Sequence, residues 1–128
     1  MNDYKNLFVY GTLKRGGKLH DFYLKNQTFM GTFYTEPNYV MVDLGAFPIV
    51  FPVKKGTGQK IEGEIYEVDG LHFSTVQTME EGAGYDTTQD IFLSKGGAIH
   101  RIASIFAYPP KYFKGKIESK KGVVSWGN

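Results

Sequence analysis

The run Ile61-Glu62-Gly63-Glu64-Ile65-Tyr66-Glu67-Val68 places the tightest constraint on what this chain can fold into. Apolar and acidic residues alternate along it with a period of two. That is the period of a strand with one buried face, and a helix cannot use it. A lone strand leaves its backbone groups unpaired, so the run demands partners. The chain offers several. Leu7-Phe8-Val9-Tyr10 reads as a buried first strand, and Phe29 to Tyr34 and Tyr39 to Leu44 alternate loosely. Ile49 to Val53 carries Pro52 inside it, which suits an edge position. Ile91-Phe92-Leu93 and Ile99 to Tyr108 follow late, the second stopped by Pro109-Pro110.

Only two stretches have helical spacing. Leu19, Phe22 and Tyr23 would share one side of a short helix over Leu19 to Leu24. Leu71, Val76 and Met79 would share a face over Leu71 to Glu80, with Ser74 and Gln77 as a capping box and Gly82-Ala83-Gly84 as the stop. The alternating strand–helix rhythm of a doubly wound sheet is missing. The pattern predicts an α+β fold: a small mixed β-barrel-like sheet with short flanking helices, closed on itself to hide its edges.

Length and composition narrow the rest. At 128 residues with no linker or repeat, the chain is expected to form a single domain spanning 1–128. Sixteen Gly, nine Tyr and ten Phe suit many turns and aromatic strands. Cysteine is absent, which removes disulfides, thiolate metal sites and a thiol nucleophile. A net charge of +2 points to neither nucleic acid nor membrane as a partner. The first residues lack the apolar stretch of a signal peptide, so a cytoplasmic protein is expected, as a monomer.

Two segments could carry chemistry. Tyr10-Gly11-Thr12-Leu13 follows the first strand, where a glycine lets the backbone turn sharply and aim amide groups outward. Such amides can cradle a carboxylate or an oxyanion, although a plain tight turn has the same composition. The second is Glu80-Glu81-Gly82-Ala83-Gly84-Tyr85. Two carboxylates at a helix C-terminus oppose the macrodipole, which marks either a solvated helix end or an acid with a raised pKa. Neighbouring helical residues point roughly 100° apart, so at most one of the two can face a pocket. His20, His72 and His100 have no metal-ligand spacing, and no serine sits in a nucleophile elbow. Lys111 to Lys121 is a Lys-rich tail with Tyr112 and Phe113 interleaved, which reads as a solvated end.

Phe8-Val9-Tyr10-Gly11-Thr12-Leu13-Lys14-Arg15-Gly16 resembles the "YGTLKRG" signature of the gamma-glutamyl cyclotransferase-like family, which includes gamma-glutamylamine cyclotransferases and plant AIG2-like proteins. The likeness continues through Gly31-Thr32, Tyr39 to Pro48, the Ile61–Val68 strand, Glu81-Gly82-Ala83-Gly84-Tyr85, Ala107-Tyr108 and Ser125-Trp126, in that order. Thr78 departs from the acidic residue usual three positions before the family's catalytic Glu. The resemblance implies release of 5-oxoproline from a gamma-glutamyl amine or isopeptide by attack of the substrate's own α-amine on its γ-carbonyl. It implies Glu81 as general acid/base, with Glu80 the alternative if the register slips by one. Tyr10, Gly11, Thr12 and Leu13 would bind the substrate, with Tyr85 and Tyr108 beside them. No metal or cofactor is implied. A non-catalytic small-ligand binder on the same fold is the alternative function.

Overall fold

The computed structural model describes residues 4–85, 87–95, 99–107 and 122–126. Five strands form a ring. They are β1 (Tyr4–Val9), β2 (Thr28–Thr35), β5 (Lys60–Asp69), β6 (Thr87–Lys95) and β7 (Ile99–Ala107). The hydrogen-bonded order β1-β7-β6-β2-β5 returns to β1 through the β1–β5 pairing. The parallel contact in this ring is between β1 and β7, where Leu7 faces Ser104 and Phe8 faces Ile105. Closure gives each strand of the ring a neighbour on both sides, the β1–β7 and β2–β6 seams being short, with two residue pairs each.

The alternation in β5 does what its pattern predicts and more. Ile61 and Ile65 are fully buried. Tyr66 and Val68, on the opposite side of the pleat from Ile65, are buried too. Tyr66 is covered by the rings of His20 and Phe29, at 5.4 and 5.5 Å. β8 (Val123–Val124) pairs parallel with the start of β5. β3 (Tyr39–Asp43) and β4 (Pro48–Pro52) form a separate two-stranded hairpin. The prolines bounding β4 suit this edge placement.

α1 (His20–Tyr23) is a single turn, and its Phe22 is 81% exposed rather than turned to the core. α2 (Gly70–Gly82) packs on β1 and β5 through Phe73 and Val76. Leu71, expected on that buried face, is 77% exposed. The helix starts earlier than the Ser74–Gln77 pairing suggested. Asp69 is its N-cap, accepting from the His72 amide at 2.8 Å and meeting the His72 ring at 2.8 Å. Tyr108 and the Lys111–Lys121 tail lie outside the described residues.

Candidate active site

A cavity of about 230 Å³ opens where the end of β1, the C-terminus of α2, the β3–β4 turn and the end of β7 meet. That is below the usual range for drug-sized ligands, which begins near ~300 Å³, and suits one small metabolite. Tyr10, Gly11, Thr12 and Leu13 line one wall. The chain turns here because Lys14 donates to the Gly11 carbonyl at 3.0 Å and Leu19 to that of Thr12 at 2.9 Å. The amides of Gly11, Thr12 and Leu13 donate to no acceptor among the described residues. Gly11 is needed for proximity: a β-carbon there would meet the Pro48 ring at 2.9 Å.

The opposite wall is the end of α2. Its last turn closes with a six-to-one bond from the Tyr85 amide to the Glu80 carbonyl at 2.9 Å and a bond from the Gly84 amide to the Glu81 carbonyl at 3.1 Å. Gly84 supplies the left-handed residue this cap needs, at φ +100°. The turn sets Glu80 and Tyr85 side by side in the cavity lining. The Tyr85 hydroxyl donates to the Pro48 carbonyl at 2.6 Å, which ties the helix end to the β3–β4 turn. The Tyr10 hydroxyl donates to the Phe106 carbonyl at 2.6 Å.

The acid in the cavity is therefore Glu80, and Glu81, expected there, points to solvent. The physical reason is helical phase. Phe73, Val76 and Glu80 recur at three, four and seven residues and face inward, whereas Glu81 pairs with Gln77 on the outer face at 3.4 Å. That spacing was present in the sequence and could have chosen between the two acids. Burial pushes the Glu80 carboxyl from 4.5 up to about 7. Burial also pushes the Tyr10 phenol well above its ordinary range, helped by Tyr85 and Glu80 nearby and opposed by the Val50 amide.

Leu19 and Met79 also line the cavity, from the two stretches read as helical, whereas Ala46, Phe47 and Lys18 had no local signal and arrive by tertiary folding. Lys14 turns away to the Trp126 carbonyl at 2.7 Å. Among the described residues no group of His, Asp or Glu is arranged to hold a metal ion. His20 is instead bonded to the Leu13 carbonyl at 2.9 Å.

Among the described residues, the fold and site are those of a small closed barrel whose cavity is lined by a carboxyl, Glu80, and by the Gly11–Leu13 loop. Residues 7–125 match the family described as "Gamma-glutamyl cyclotransferase, AIG2-like", and the chain belongs to that family. It is 31% identical over 128 residues to the Drosophila melanogaster protein named "Putative gamma-glutamylcyclotransferase CG2811", covering 95% of this chain and 80% of that one. A Methanocaldococcus jannaschii protein carrying the same family name is 33% identical over 105 residues, covering 80% of this chain and 83% of its own. The crystal structure of an AIG2-like protein from Mus musculus superposes with a TM-score of 0.69 at 22% identity, covering 91% of this chain and 88% of that chain, and shows the shared fold.

Proposed function

We propose that this protein releases 5-oxoproline from a small gamma-glutamyl compound, with Glu80 as the proton shuttle. The observation that carries this reading is the enclosure of one carboxyl, Glu80, in the same cavity as the amides of Gly11, Thr12 and Leu13.

The substrate brings its own nucleophile, so the site's tasks are to fold it back, move two protons and hold negative charge. Ionised Glu80 takes a proton from the α-ammonium. The freed amine attacks the γ-carbonyl carbon, and the carbonyl electrons move to oxygen. The bond from carbon to the leaving nitrogen then breaks as protonated Glu80 returns its proton to that nitrogen, and the ring nitrogen, left with one hydrogen too many by its attack, gives that proton to the departing amine, which leaves in its protonated form. The products are 5-oxoproline and an amine, and the carboxylate is regenerated. The loop amides suit either the tetrahedral oxyanion or the substrate α-carboxylate. An acid with a pKa of about 7 can serve both as base and as acid at neutral pH.

The test is a 5-oxoproline release assay over gamma-glutamyl amino acids, gamma-glutamyl amines and gamma-glutamyl-lysine isopeptides. At least one class is expected to turn over. Glu80→Gln should lower kcat by about 10²–10⁴-fold, the usual contribution of a general base. Glu81→Gln should leave it near the wild-type value. No 5-oxoproline from any class overturns the function, and a Glu80→Gln variant as fast as wild type overturns the residue.

A further inference from the structure

Glu64 lies outside the cavity, on β5, with 13% of its side chain exposed. One carboxylate oxygen, Oε1, accepts from the Arg15 backbone amide at 2.8 Å and from the Tyr66 hydroxyl at 2.9 Å. The Arg15 guanidinium is a weaker partner. Its Nε stays 3.8 Å from the other oxygen, its side chain is 60% exposed, and it lies 4.0 Å over the Phe29 ring. Exposed ion pairs of that kind contribute little. A mostly buried carboxylate bonded to a backbone N–H is a stronger tie. Burial, then the Glu64 carboxylate, pushes the Tyr66 phenol above its ordinary range, so it remains a donor.

Arg15 stands two residues beyond Leu13, the last of the free amides. Those amides belong to no strand ladder, and the loop carrying them is otherwise tied to itself, to His20 and, through the Lys14 side chain, to the Trp126 carbonyl. Glu64 links the loop to the barrel wall. We infer that Glu64 is a positioning residue that holds the Gly11–Leu13 amides at a fixed distance from the acid on α2. This role rests on the catalytic reading above. It requires of Glu64 an acceptor at that position and no contact with substrate.

The test compares Glu64→Leu, which removes the acceptor, with Glu64→Gln, which keeps one. Two readouts are taken on the intact protein: 5-oxoproline release, and hydrogen exchange of the Arg15 amide. Glu64→Leu is expected to speed Arg15 exchange at least about tenfold and to lower kcat/KM about 10–100-fold, as misplacement near a reacting centre does. Glu64→Gln should recover at least about tenfold of that loss and restore the slow exchange. If Glu64→Leu does not fold, Tyr66→Phe removes the second bond to the same oxygen and should lower kcat/KM by a smaller factor. A Glu64→Leu variant with wild-type kcat/KM overturns the inference, as does a Glu64→Gln variant as impaired as Glu64→Leu. If wild type forms no 5-oxoproline, the catalytic reading fails separately. Arg15 exchange then decides alone: unchanged exchange in Glu64→Leu overturns the tie.

Discussion

Among the side chains lining the cavity, Glu80 has its ionisation moved to the neutral range. Tyr10 is pushed the other way from usefulness as a base, since a phenol held above its ordinary range keeps its proton and goes on donating to Phe106. In the proposed reaction the two proton transfers therefore fall to one carboxyl. The base form of Glu80 is the ionised one, and its pKa is raised to about 7. Activity must then fall as pH drops below that value. For the free enzyme, kcat/KM should rise about tenfold per pH unit up to a midpoint near 7 and level off above it. In Glu80→Gln this rising limb should vanish from whatever activity remains. A wild-type midpoint near the ordinary 4.5 of a solvated Glu would show that the carboxyl is not enclosed during turnover.

The end of α2 is the element on which that carboxyl depends. A six-to-one cap fixes the geometry from Glu80 to Tyr85, and Gly84 occupies its left-handed position. Gly84→Ala places a β-carbon where L-residues are disfavoured by about 1–2 kcal/mol. Urea unfolding should report a loss of that size, and 5-oxoproline release should fall more than the stability change explains, because both Glu80 and Tyr85 shift. A variant with the stability loss and full activity would separate the cap from the site. This element also marks where sequence reasoning stops. The helix was legible from its apolar residues and from the glycines that end it. Its N-cap was not, because Asp69 closes the preceding strand and only the turn geometry makes it a cap. The choice of Glu80 over Glu81 hangs on Phe73, a residue whose burial overrides the more conspicuous Leu71. Periodicity counted from Leu71 points the wrong side of the helix inward. The loop at Tyr10–Leu13 was legible because its glycine and its place after a strand are local facts. Ala46, Phe47 and Pro48 reach it from a hairpin far along the chain, and no local pattern announces that.

At the scale of the molecule, the strands were legible as alternation, and a closed sheet follows from the need to hide their edges. The way the ring closes was not legible, because it pairs β1 with β7 across nearly a hundred residues and sets β3 and β4 apart from the ring. Glu80 is held in the cavity between the ring's β1 and β7, α2 and the β3–β4 turn, so several parts of the fold carry the energetic consequence of its burial. Folding raises its pKa from 4.5 to about 7. Between those values the folded state binds more protons than the unfolded one, so this group makes stability fall as pH rises. Its contribution is fully present below 4.5 and lost above about 7. An interval of that width corresponds to roughly 3 kcal/mol. Glu80→Gln cannot titrate and should lose the trend while every other group keeps its own. Urea unfolding of both proteins from pH 4.5 to 8 should therefore show the variant gaining on the wild type by roughly 3 kcal/mol towards the alkaline end. A difference between the two that stays constant with pH would mean that the barrel leaves this carboxyl in water, and an acid in water has no reason to titrate where the proposed chemistry needs it.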